Sequence, residues 1–129
     1  MFVLILDDDE SRIKQFRKNN IPVVVNWYTD PYKAIEELQQ NITKYDLICL
    51  DHDLGIITEN GEVTAMPVVD YLRHNYGEKY NDKQAIIVHS LNRPAAVAMM
   101  QTLQHINCKI YMIPFAWSKE NLFKSLMGT

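Results

Sequence analysis

The feature that most constrains this chain is a beat of five short apolar runs: FVLIL at 2–6, PVVVNW at 22–27, DLICL at 46–50, AIIVH at 85–89 and KIYMIPF at 109–115. None approaches the roughly 18 apolar residues of a membrane span. Their branched side chains suit strands. Helical patterns fill the intervals. ESRIKQFRKN places Ile13 and Phe16 three apart on one face. Thr29 and Asp30 precede Pro31, a capping residue followed by a first-turn proline, and Ala34, Ile35 and Leu38 then form a stripe. Met66, Val69, Leu72 and Tyr76, with Val68 and Tyr71 alongside, predict a third helix ending at Gly77. SLNRP introduces a fourth carrying Val97, Met100, Leu103 and Ile106, and Ser118 opens a last one, SKENLFKSLM. The segment DHDLGIITENGEV reads as a polar loop with two glycines.

Strand–helix alternation of this kind predicts an α/β domain with a parallel sheet. Near-continuous apolar strands imply that both sheet faces are covered. The common solution is a flavodoxin-like, three-layer fold: five parallel strands in the order 2-1-3-4-5, with helices on both faces. A length of 129 residues, 47% of them hydrophobic, suits one domain spanning 1–129 with a sizeable core.

Composition narrows the function. A net charge of -3 argues against an extended nucleic-acid surface but leaves room for a small phosphorylated ligand or nucleotide bound through a metal ion. Cys49 and Cys108 fall in runs read as strands. Their spacing matches no zinc motif and implies no disulfide framework, so two buried thiols in a reducing compartment are expected. The opening MFVLILDDDE has an apolar stretch too short for a signal peptide, with acids where a cleavage site would lie. These features predict a soluble, cytoplasmic protein with no membrane partner.

In an open parallel sheet, ligands bind where the strand order reverses, at the carboxyl ends of the strands. Here that point lies between the first and third strands. The first strand exits into Asp7, Asp8, Asp9 and Glu10, the third into Asp51, His52 and Asp53, and the fourth ends at His89 and Ser90 with Asn92 and Arg93 behind. Carboxylates crowded within a few ångströms raise one another's pKa unless a cation neutralises them. Hard oxygen donors select Mg²⁺, Mn²⁺ or Ca²⁺. Asp7, Asp8 and Asp51 are therefore candidate ligands of a divalent metal. Asp9 and Glu10 are better explained as a cap and a first-turn acid. Asp53 is either a ligand, a catalytic neighbour or a turn residue. His52 and His89 suit general acid–base work or could add a nitrogen ligand. His74 and His105 read as structural or surface residues. Ser90 and Arg93 are candidate phosphate contacts, with Asn92 beside them. A His-Asp dipeptide also marks an all-helical phosphohydrolase superfamily, but here it follows a strand, which excludes that analogy.

The whole pattern resembles the receiver domain of response regulators. VLILDDDE matches the acidic pair with Asp7 and Asp8, and LICLD puts Asp51 at the phosphoacceptor position. The resemblance makes Asp53 a metal ligand through its backbone carbonyl. The chain departs from that pattern in three places. MIPF places Ile113 where receivers carry a lysine, His89 stands at the usual hydroxyl position, and the loop through ITENGEV is long. LDDDE, LDHDLG and VHSLN together resemble a specific offshoot, the cyclic-phosphate processing receiver-like domains. That resemblance implies a metal-dependent hydrolase, using Mg²⁺ or Mn²⁺, that opens cyclic phosphates derived from RNA ends, nucleotides or ADP-ribose. Asp7, Asp8, Asp51 and Asp53 would then hold the metal, His52 or His89 would move protons, and Asp51 would be ligand or nucleophile. Ser90, Asn92 and Arg93 would face the substrate. The rival readings are a phosphoaccepting signalling domain and a non-catalytic module that sequesters a ligand. A partner protein is also open: Met99 and Met100 either offer it an apolar surface or fill core gaps.

Overall fold

The structure is a computed structural model, and it describes residues 1–20, 22–76 and 84–113. Five parallel strands form the sheet: β1 (Phe2–Leu6), β2 (Val24–Tyr28), β3 (Leu47–Leu50), β6 (Ala85–Val88) and β7 (Lys109–Met112). Their order is β2-β1-β3-β6-β7, which is 2-1-3-4-5 when the sheet's own strands are counted, so the expected α/β receiver-type sheet is present. Among the described residues four helices accompany it: α1 (Glu10–Asn19), α2 (Pro31–Asn41), α3 (Met66–Asn75) and α4 (Arg93–Leu103). The expected last helix at SKENLFKSLM, and Gly77, lie outside the described residues.

Strand parity sorts the core into two layers. Leu4, Leu6, Ile48, Leu50, Ile86 and Val88 pack against α2, α3 and α4. Val3, Ile5, Leu47, Cys49, Ala85 and Ile87 face the other way, onto Ile13 and Phe16 of α1. Both faces are thus buried, as near-continuous apolar strands require.

Several sequence expectations shift. DHDLGIITENGEV is not a plain loop. It holds an antiparallel hairpin of β4 (Asp53–Thr58) and β5 (Gly61–Thr64), with a register shift between Asp53 and Ile57. Alternation was masked there because the hairpin stands apart from the main sheet and leaves Ile56 and Ile57 exposed. Helix α4 buries Ala96, Met99 and Leu103 while leaving Val97 exposed, so its stripe is offset from the predicted one. Met99 fills the core. Ile106 and His105 lie beyond the helix end, and Cys108 precedes its strand and is only partly buried. The predicted caps Asp9 and Asp30 do accept from backbone amides at the starts of α1 and α2. Among the described residues, no helix is long and apolar enough to cross a membrane.

Candidate active site at the strand exits

Parallel register builds the site. Leu6 pairs with Leu50, and Leu50 with Val88, so Asp7, Asp51 and His89 are each the first residue beyond their strand. The ladder carries them one step further: Asp51 N–H donates to Leu6 O at 2.9 Å and His89 N–H to Leu50 O at 3.0 Å. All three continue the parity that faces α1. Side chains on one face of neighbouring strands in register must meet. Ligand atoms of Asp7, Asp51 and His89 lie within 4.8 Å of one another, and all three residues are buried.

The trio is tightly bonded. His89 Nε2 lies 3.0 Å from Asp7 Oδ2. The other Asp7 oxygen accepts from the Asp9 amide at 2.8 Å and from Arg12 Nη2 at 3.0 Å. Trp27, on β2, donates its indole N–H to the Asp7 carbonyl at 2.7 Å. Burial holds the His89 imidazole below its ordinary pKa, with the Asp7 contact opposing, so the ring is held towards its neutral form. Burial, aided by the charge of Asp7, pushes the Asp51 carboxyl up to about 7, and Arg12 only partly offsets this.

The other predicted residues stand around this trio. Asp8 is half-exposed, reaches Arg12 at 3.6 Å and lies under Gly55, where a Cβ would collide with its Oδ2. Asp53 does not join the trio. Its Oδ1 instead sits 2.6 Å from Nδ1 of His52, at the foot of the hairpin. The His52 carbonyl accepts from Ala65 N–H, which fixes the backbone at that point. Ser90 is buried and its Oγ accepts from the Asn92 amide at 3.1 Å, while Asn92 Oδ1 caps α4 through Ala95 N–H. Arg93 is exposed at the first residue of that helix. Met112 pairs with Val88, so Ile113 is the register neighbour of His89, and it packs into the α1-side core.

Sequence reasoning missed Arg12 and Trp27. Arg12 was legible in principle: it lies three, four and five residues after Asp9, Asp8 and Asp7, the spacing at which a first helical turn folds back on its own N-terminus. Trp27 carried no signal in an otherwise apolar run.

The donor set fits a divalent cation. Two buried carboxylates and an imidazole converge, a third carboxylate adjoins, and a guanidinium already sits among these acids as a cation would.

No curated protein sequence matches the chain significantly. Several solved structures share its fold, among them two receiver proteins. One is the phosphorylated cyanobacterial phytochrome response regulator RcpA, with a TM-score of 0.58 at 16% identity over 99% of this chain and 96% of that one. The other is the signal receiver domain of a protein from Vibrio parahaemolyticus described as a Luxo repressor, with a TM-score of 0.55 at 16% identity over 87% of this chain and 76% of that one. The family model for the cyclic-phosphate processing receiver domain matches residues 2–105, which take in Asp7, Asp51 and His89, and the chain belongs to that family.

Proposed function

We propose that this domain hydrolyses a cyclic phosphodiester with the help of a divalent metal, Mg²⁺ or Mn²⁺. The observation that carries this reading is the convergence of Asp7, Asp51 and His89 at the carboxyl end of the sheet, in a chain of a cyclic-phosphate processing family. Asp7, Asp8 and Asp51 would hold the ion, with Asp53 near the mouth. When bound, such an ion neutralises charge on phosphate oxygens.

The two histidines differ in ways that divide the labour. His89 is fully buried and spends Nε2 on Asp7. It fixes the carboxylate's direction. His52 keeps 15% of its side chain exposed and has Nδ1 against Asp53. A carboxylate on one ring nitrogen sets the tautomer and leaves the other for proton transfer. His52 is therefore assigned the acid–base role, giving a proton to the departing ribose oxygen or taking one from water. Asp51 is either a ligand or the attacking nucleophile. In the second case its carboxylate forms a P–O bond as the ring P–O bond breaks, and water then cleaves the acyl phosphate. Ser90, Asn92 and Arg93 would be the contacts to the substrate. Since Asn92 caps α4, Arg93 is the better placed of them to meet a phosphate.

The test is ³¹P NMR on 2′,3′-cyclic and 3′,5′-cyclic nucleotides, cyclic dinucleotides and ADP-ribose 1″,2″-cyclic phosphate with Mn²⁺ or Mg²⁺. Turnover of one member, lost on chelation and in Asp51→Ala, is the expected result. Shifts without turnover point to a sequestering module. Labelling of Asp51 by a small phosphodonor, without turnover, points to a signalling receiver. Ile113 in the lysine's register place weighs against that outcome.

A further inference from the structure

Arg12 is the cation that the acids already hold. Its Nη2 lies 3.0 Å from Asp7 Oδ1, 3.5 Å from Asp51 Oδ2 and 3.6 Å from Asp8 Oδ1, and its Nε lies 3.4 Å from Asp9 Oδ2. Among the described residues it is the one cation within ion-pair distance of Asp51. The place beside His89 from which receivers extend a lysine is taken by apolar Ile113.

The geometry is that of a loosely fitted ion. One nitrogen with two protons faces three carboxylates, and only the Asp7 contact has a good hydrogen-bond length. The guanidinium's strength is its fork, which grips a carboxylate or phosphate with two parallel bonds. That fork is not engaged on any of these acids, and Nε is buried without a hydrogen bond. The side chain is 26% exposed, so it borders solvent rather than being sealed in. A small doubly charged ion approaches carboxylate oxygens at about 2.0–2.6 Å. It outcompetes a single charge held at 3.0 Å and beyond.

We propose that Arg12 is the resident counter-cation of this site: it occupies the acids in the metal-free protein, yields them to a divalent ion, and turns its freed fork onto the phosphate of the ligand. The second and last steps rest on the metal and phosphate readings above; the first does not.

Three measurements on the full chain test this. Mn²⁺ affinity, read by the loss of the free-ion EPR signal, is expected to rise about tenfold in Arg12→Gln, because a like charge leaves the site. Unchanged or weaker binding would overturn the competition. In the wild type, the Arg12 Nε–H cross-peak should move during a Mg²⁺ titration with the same midpoint as metal binding. A stationary peak overturns displacement, and this arm stands even if the variant folds poorly. With Mg²⁺ saturating, inorganic phosphate should bind about tenfold more weakly to Arg12→Gln. Equal phosphate affinity would sink the anion contact while leaving the competition intact. Because phosphate is the probe, the result stands apart from whether any cyclic phosphate is turned over.

Discussion

Among the described residues lie two pairs of acid and histidine, and they are built in opposite ways. Asp7 and His89 are 82 residues apart and meet only because β1, β3 and β6 run in register. His52 and Asp53 are chain neighbours, and their contact needs only the foot of a hairpin. The first pair is buried in the same layer as the α1-side core, so its polar groups were taken from water as the chain folded. The second borders solvent. Folding and chemistry are therefore entangled at the first pair and separable at the second.

The largest expected effect lies at the buried pair. Asp7→Ala removes the acceptor of both His89 and Arg12. Breaking a buried, bonded charge cluster costs about 3–5 kcal/mol. Urea unfolding should show a loss of that order, and divalent metal binding should vanish with it. At the solvent-bordering pair, His52→Ala should lower kcat by about 10²–10⁴ on whichever cyclic phosphate is cleaved. Its unfolding free energy should fall by only about 0.5–1.5 kcal/mol, the scale of the one hydrogen bond to Asp53 that is lost. If His52→Ala unfolds the domain as readily as Asp7→Ala does, the contrast between the pairs is broken. If it leaves kcat untouched, the acid–base role returns to His89.

Asp51 sharpens the contrast through pH. Its carboxyl is raised from 3.8 to about 7, so the folded metal-free protein keeps a proton that the unfolded chain releases. Stability from this group is full below about pH 4, declines as pH rises towards 7, and is flat above. Denaturation midpoints in chelator should fall across that window, and the wild type minus Asp51→Asn difference isolates the slope. Metal affinity should run the other way. It should weaken by up to about tenfold per pH unit below 7, because the ion must displace that proton. A wild-type profile identical to that of Asp51→Asn would mean that the carboxyl is already ionised in the folded protein.

How much of this was legible in the sequence follows the same division. The strand beat gave sheet order, both covered faces and the meeting of Asp7, Asp51 and His89, because parallel register converts equal positions after each strand into spatial neighbours. The different settings of His52 and His89 were not legible, since both simply follow strands; burial and partner choice separate them. Arg12 was hidden because a charge on a helix is by default a solvated one. The hairpin was hidden for another reason. Strands outside the main sheet are not required to bury a face, so Ile56 and Ile57 in β4 gave no period to read.

The smallest effect expected is at Gly55, where the hairpin meets the acids. Its φ of +69° lies in the region that L-residues disfavour, and an added Cβ would strike Asp8 Oδ2. Backbone strain alone makes Gly55→Ala cost about 1–2 kcal/mol. The obstacle is one oxygen of a half-exposed side chain, which can swing aside. Stability should therefore fall by no more than this. Moving Asp8 also moves one of the four carboxylates that Arg12 faces, so Mn²⁺ affinity should drop by a few-fold in the same variant. A loss of stability with unchanged metal affinity would detach Asp8 from the metal and leave the buried trio to hold it. A drop in both would tie the hairpin, and with it His52 and Asp53, to the acids that the sheet assembles.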